Sequence, residues 1–94
     1  MLRFAKGTQE YMLIDVNDML NNLPPLGELS PTYDILTNDN EDVLMGASAG
    51  SIGYTAFCMI DTTNMPVKVY KLFLMFEAAP EAPRLGPIYF EVHT

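Results

Sequence analysis

The sequence predicts a small all-β fold, an antiparallel β-sandwich of about seven strands. Three observations lead to this prediction. Several segments alternate apolar and polar side chains with a period of two, which is typical of strands. Turn-forming Gly, Pro, Asn and Asp residues separate these segments at intervals of roughly a dozen residues. Only one short stretch has helical spacing. A chain of 94 residues accommodates one domain, so we expect residues 1–94 to form a single unit.

The first part of the chain is predicted to hold two strands and one helical turn. Residues 2–4 indicate a short strand, and a second strand follows at residues 11–16. Residues 17–23 carry apolar side chains at helical spacing. This segment ends after about two turns, because Pro24 lacks the amide donor that a helix needs.

The middle of the chain indicates a hairpin followed by a loop. Residues 33–37 and 43–45 favour strands, and the polar sequence Asn-Asp-Asn-Glu-Asp at residues 38–42 favours the turn between them. Residues 46–53 are rich in Gly, Ala and Ser. Such small side chains cannot anchor a core, so we predict a mobile loop here.

The last part of the chain contains the strongest strand patterns. Strands are predicted at residues 54–60, 67–77 and 88–93, and the longest of them is 67–77. In the first of these strands, which is apolar on both faces, one side carries Tyr54, Ala56, Cys58 and Ile60. The faces predicted to point into the core are Tyr70, Leu72, Leu74 and Phe76, then Ile88, Phe90 and Val92. We expect these faces to meet between two sheets.

The charge of the chain restricts its partners. Twelve acidic and five basic residues give a formal net charge of −7. An acidic surface repels phosphate backbones and anionic lipid, so we expect neither nucleic acid nor membrane as a partner. The acids would instead favour a basic protein surface, or form only a solvated rim.

The single cysteine, Cys58, excludes an intrachain disulfide and gives no support for oxidative secretion. The N-terminal residues resemble no signal peptide, and no apolar run reaches the roughly 18 residues that span a membrane. We therefore expect synthesis in a reducing cytoplasm.

Any catalytic group of residues that needs a histidine must include His93, the only one in the chain. Cys58 with His93 is one formal pair, and Ser48 or Ser51 with His93 and Asp61 would make a formal triad. Neither serine lies in a nucleophile-elbow pattern, and a mid-strand cysteine is typically buried and inert. We expect no catalytic residues and no cofactor.

Other ligand motifs are also incomplete. Residues 38–42 offer oxygen ligands at alternate positions, which suits calcium, but they lack the central glycine and the terminal glutamate of an EF-hand loop. Glycines at residues 46–53 are not followed by the lysine of a phosphate-binding loop. One Cys and one His exclude a zinc site. Glu77 and Glu81 flank a loop without an obvious cleft, so we expect solvated acids and no metal.

The outward face of the longest strand is the most informative feature for function. Phe73 and Met75 lie on that face, and Tyr89 and Met59 are candidates to lie near them. Exposed apolar patches on soluble domains usually mark binding surfaces, unless a second sheet or a loop covers them. We predict these four residues as a protein interface.

The layout resembles the small immunoglobulin-like domains of tailed-bacteriophage virions. Residues 23–27, Leu-Pro-Pro-Leu-Gly, precede the strand at 32–35 where such domains often have a leucine–threonine–glycine step, and the polar turn at 38–42 follows. Residues 70–76 are similar to the penultimate strand and residues 85–92 to the closing strand of those domains.

The sequence departs from that family where Lys68 and Val69 replace a glycine commonly found before the tyrosine strand. The resemblance implies a non-enzymatic head, neck or tail accessory protein, synthesised in the host cytoplasm and located in the virion. It implies contacts with other virion proteins, with further copies in a symmetric oligomer, or with both. Two alternatives remain at this point: a carbohydrate- or ligand-binding module that stacks on Tyr33, Tyr54 or Tyr89, and a small hydrolase that uses His93.

Overall fold

The computed structural model describes residues 1–16, 24–82 and 84–94. Its strands are β1 (Leu2–Ala5), β2 (Gln9–Asp15), β3 (Pro31–Thr37), β4 (Asp42–Ser48), β5 (Gly50–Ile52), β6 (Thr55–Asp61), β7 (Val69–Phe76) and β8 (Leu85–His93). A 3₁₀ turn occupies Leu26–Glu28. The helical candidate at residues 17–23 lies outside the described residues. Within the described ranges, no helix is long and apolar enough to cross a membrane.

The strands form two sheets packed as a sandwich. The five-stranded sheet has the order β1-β8-β7-β3-β4, and the three-stranded sheet has the order β2-β6-β5. The predicted all-β, two-layer architecture is confirmed at this level. The described residues contain eight strands in place of about seven, because the small-residue segment also forms a strand.

One strand pair departs from the predicted antiparallel arrangement. β1 runs parallel to β8, with Phe4 opposite Val92. The chain then crosses to the other sheet at residues 6–8, and β2 pairs antiparallel with β6. The buried Thr62 hydroxyl holds this crossing: it donates to the Ala5 carbonyl (2.7 Å) and accepts from the Thr8 amide (3.0 Å).

The core contains most of the residues that strand alternation predicts, and the predicted inward residue Ile88 is half-buried against it. Alternate residues of β7 and β8 are buried: Tyr70, Leu72, Leu74, Phe76, Phe90 and Val92. The Phe90 ring stacks on Tyr70 at 5.5 Å between ring centroids and meets the edge of Phe4 at 5.6 Å. The Tyr70 hydroxyl donates to the Pro66 carbonyl at 2.6 Å, which ties the start of β7 to the preceding loop.

The prediction of a loop at residues 46–53 is wrong. Residues 42–48 form β4, and after Ala49 the chain enters β5 in the other sheet. β4 carries two register shifts against β3, and Gly46 adopts a positive φ of 66° at one of them. The Gly46 amide donates to Asp34 Oδ1 at 2.7 Å. Small residues therefore serve here to let an edge strand bulge and change sheets, as glycine commonly does.

Candidate protein-interaction site

The structure separates the formal catalytic pair. Cys58 is buried in β6 of the three-stranded sheet, whereas His93 ends β8 in the five-stranded sheet. Burial raises the pKa of the Cys58 thiol to about 12. The thiol therefore stays protonated near neutral pH, and a protonated thiol is a poor nucleophile.

The residues of the formal triad also lie apart. Ser48 and Ser51 line a polar cavity of about 280 Å³, and Asp61 lines a different cavity at the other end of β6. His93 is paired with Ala5 of β1. Glu77 borders the cavity of the two serines, and Glu81 is exposed in the loop after β7. The structure thus brings together neither the triad nor the two glutamates.

The polar segment at residues 38–42 forms the turn between β3 and β4. The Thr37 side-chain oxygen accepts the Glu41 amide at 3.0 Å, and the Thr37 carbonyl accepts the Asn40 amide at 2.9 Å. These bonds account for a hairpin turn. Across the part of the chain that the structure describes, no three His, Cys, Asp or Glu side chains are grouped to hold a metal ion.

The four residues predicted as an interface do not form one patch. Phe73 and Met75 of β7 and Tyr89 of β8 share the outer face of the five-stranded sheet. The Arg84 guanidinium covers the Phe73 ring at 3.7 Å, and its Nη2 lies 3.9 Å from Asp34 Oδ2. Met59 lies in the other sheet, opposite Tyr11 of β2.

Among the described strand residues, the most exposed large apolar side chains lie on the three-stranded sheet. Tyr11, Leu13 and Ile52 are exposed by 61, 63 and 72%. The half-buried Phe57 and Met59 lie between them, and the Tyr11 and Phe57 rings meet edge-on at 6.3 Å. We call these five residues the outer apolar face. The sequence signal for this face is the run Tyr11, Met12, Leu13, Ile14, which is apolar on both sides of the strand.

A second apolar feature is a cavity of about 290 Å³ between the edges of the two sheets, here called the edge cavity. It is lined by Tyr33 and Ile35 of β3, Val43 and Leu44 of β4, and Met59 and Asp61 of β6. The loop after β6 adds Asn64 and Met65. Sequence reasoning missed this cavity, because its walls come from three strands that are distant in the chain.

The tyrosines proposed as stacking platforms differ in exposure. Tyr33 is 3% exposed, and its hydroxyl donates to the Met59 carbonyl at 2.8 Å. Burial is also the main cause that raises the pKa of Tyr33. Tyr33 is therefore not a surface platform for a ligand ring, although it lines the edge cavity. Tyr54 is half-buried, and Tyr89 is exposed on the other sheet.

Searches of protein-family models, curated proteins and solved structures found no match to this chain.

Proposed function

We propose that this chain is a non-enzymatic structural module, an immunoglobulin-like sandwich that joins a tailed-bacteriophage virion through protein–protein contacts. The outer apolar face carries this proposal. Three large side chains on one small sheet remain mostly exposed. A soluble domain rarely leaves such side chains grouped on its surface unless they bind a partner.

The strand order supports the immunoglobulin-like part of the proposal. In immunoglobulin domains one sheet contains strands B, E and D, and the other contains G, F and C, with C′ added in variable-type domains. Here β2-β6-β5 has the first order, and β8-β7-β3-β4 has the second.

The hydrogen bond of Tyr70 supports the same assignment. Immunoglobulin domains carry a tyrosine near the start of strand F whose hydroxyl bonds to backbone a few residues upstream. Tyr70 is the second residue of β7, and its hydroxyl donates to the Pro66 carbonyl. Leu72 stands two residues later, where antibody domains have a disulfide cysteine.

Charge and composition support a role in protein–protein assembly more than a catalytic role. The strands of the three-stranded sheet contain no Lys, Arg or His, and Asp15 and Asp61 lie at their ends. The partner surface that fits this sheet is therefore apolar at its centre and basic at its rim. The virion setting rests on the family resemblance of residues 23–27, 32–35, 38–42, 70–76 and 85–92.

Quantitative mass spectrometry of purified phage particles whose genome encodes this chain tests the virion setting. We expect the chain in a fixed stoichiometry with the other structural proteins. Its absence from intact particles would refute the virion setting.

Substitution on the outer apolar face tests the contact. Leu13→Lys should reduce incorporation into particles by about tenfold or more, since burying a leucine contributes roughly 1.5–3 kcal/mol and 1.4 kcal/mol is tenfold. Val67→Lys is the matched control: it places the same charge at an exposed aliphatic residue outside the outer apolar face. Equal incorporation of the two variants would contradict the role of this face.

A further inference from the structure

The three-stranded sheet is incomplete beside β6. β5 pairs only with Thr55, Ala56 and Phe57 of β6. Among the described residues no strand pairs with the remainder of β6 on the side away from β2. That free edge faces the edge cavity, because Met59 and Asp61 of β6 line the cavity.

The backbone of β6 is oriented for pairing at this edge. The Met59 carbonyl points away from β2, since it accepts the Tyr33 hydroxyl from the other sheet, and its second lone pair is the one left for an added strand. The amide and carbonyl of alternate residues in a strand point to the same side. Asp61 therefore presents its backbone groups in the same direction as Met59.

The opposite wall is the edge of the other sheet. β4 is the last strand of the five-stranded sheet, and Val43, Leu44 and Met45 are exposed in succession. No charged residue or proline follows Asp42 within β4. Natural edge strands normally carry such groups to prevent pairing, although the two bulges of β4 limit regular pairing along it. β6 is therefore the better template.

The cavity between these edges has the size and the lining for an apolar side chain. Its volume is about 290 Å³, and Tyr33, Ile35 and Met65 contribute buried apolar surface. An apolar cavity of about 150 Å³ holds benzene. One large aliphatic or aromatic side chain fits with room for part of a second.

The charges around the rim are mostly acidic, with one cation in the described part of the chain, the Lys6 ammonium, which donates to the Met65 carbonyl at 2.8 Å. Among the described residues, Asp61 is the only charged one that lines the cavity. The Thr63 side chain and amide, and then the Gln9 side chain, donate hydrogen bonds that lower the pKa of Asp61. Its carboxylate is thus held ionised and oriented. Glu41 and Asp42 lie just before the cavity residue Val43 and add negative charge.

We propose that an extended segment of a basic partner polypeptide adds as a strand along Met59 and Asp61 of β6, with one large apolar side chain in the edge cavity. A Lys or Arg of that segment lies opposite Asp61. This inference rests on the proposed function as an interaction module and names the chemistry of the partner. A second copy is the poorer occupant, because each copy carries a net charge of −7 and the same acidic rim.

An array of synthetic decapeptides tests this inference. Each peptide alternates Leu or Val with Lys, Glu or Ser, and fluorescence anisotropy gives its Kd for the full chain. We expect saturable binding of the Lys series, weaker binding of the Ser series and none of the Glu series. Amide hydrogen exchange should slow at Met59 and Asp61 when the Lys peptide binds. Protection at other strands only, or equal binding of the Glu series, would overturn the inference.

Matched variants locate the site. Val43→Arg should raise the Kd of the Lys peptide by more than about tenfold, because the substitution places a cation and a bulky side chain at the mouth of the edge cavity. Val67→Arg makes the same change at an exposed valine outside the cavity and should leave Kd unchanged. Asp61→Asn should weaken binding roughly two- to fivefold, as for an exposed ion pair, whereas the control Glu77→Gln should not. If a site variant and its control changed the Kd equally, in either pair, the assigned position of the peptide at the edge cavity would be refuted.

Different experimental outcomes would refute the proposed virion role and the proposed edge site. Leu13 lies on the outer apolar face, so Leu13→Lys should leave peptide binding intact. If particles contain the chain in stoichiometric amounts but no peptide of the array binds, this inference fails and the proposed function stands. If the chain is missing from particles while the Lys peptides bind, the virion setting fails and the edge site stands.

Discussion

Replacing Thr62 with valine removes a buried hydroxyl while keeping the shape of the side chain. Thr62 is fully buried, and its hydroxyl has three partners: the Ala5 carbonyl, the Thr8 carbonyl and the Thr8 amide. Two of these partners keep another bond in the variant. The Ala5 carbonyl still accepts the Thr8 hydroxyl at 2.6 Å, and the Thr8 carbonyl still accepts the Thr62 amide at 2.9 Å.

The cost of Thr62→Val therefore comes mainly from one orphaned donor, the Thr8 amide. A donor left without a partner in a buried site costs roughly 1–3 kcal/mol. Thr8 is half-buried and Thr62 beside it is fully buried, so we expect a loss of about 2 kcal/mol in the free energy of unfolding. For a chain of 94 residues this corresponds to a fall in Tm of roughly 8–16 °C.

Thermal and urea unfolding followed by circular dichroism measure this loss. Thr62→Ser is the control, because it keeps the hydroxyl and removes only one methyl group, at about 0.8 kcal/mol. The reasoning predicts that valine destabilises more than serine. A valine variant as stable as the wild type, or more stable than the serine variant, would show that the hydroxyl does not hold the crossing between the sheets.

Three further predictions concern other parts of the core. Tyr70→Phe should lower the free energy of unfolding by about 1 kcal/mol, because it removes the bond to Pro66; an unchanged urea midpoint would contradict a stabilising role for this bond. Gly86→Ala should destabilise by about 2 kcal/mol or more, since Gly86 has a φ of 123° and a Cβ there would lie 2.7 Å from the Leu72 carbonyl oxygen; normal thermal stability would count against it. Cys58 has a folded-state pKa of about 12 against an ordinary value of 9.0, so the folded state retains its proton longer. The stability that the folded state gains from the Cys58 proton is fully present below pH 9 and is lost as the pH rises from 9 to 12. The free energy of unfolding measured across this range should therefore fall less steeply in Cys58→Ala than in the wild type. Identical slopes would refute the pKa assigned to Cys58.

Strand faces could be read from the chain because side-chain direction is a local property. Alternation along a strand assigns Tyr70, Leu72, Leu74 and Phe76 to one side whatever the strand pairs with. The structure buries all four. The same local rule failed at residues 46–53, where small residues accompany bulges that only pairing with β3 makes necessary.

The exposure of an outward face is not a local property. The alternation places Phe73 on the outside of β7, but Arg84 from the following loop covers its ring. Tyr11 and Leu13 have a similar alternation and remain open, because nothing in the described chain packs on that side of the small sheet. The interface prediction therefore named apolar outward residues without distinguishing covered from uncovered ones.

By itself the sequence determined the all-β class, the inward faces and the acidic, disulfide-free character of the chain, since these depend on composition and on the period of two. Tertiary structure alone decided that β1 runs beside β8, that β5 stops at Ile52 and that a cavity opens between β4 and β6. Strand partners and their lengths follow from contacts between residues that are far apart in the chain. No local pattern encodes such contacts, because each strand edge can bond to any other.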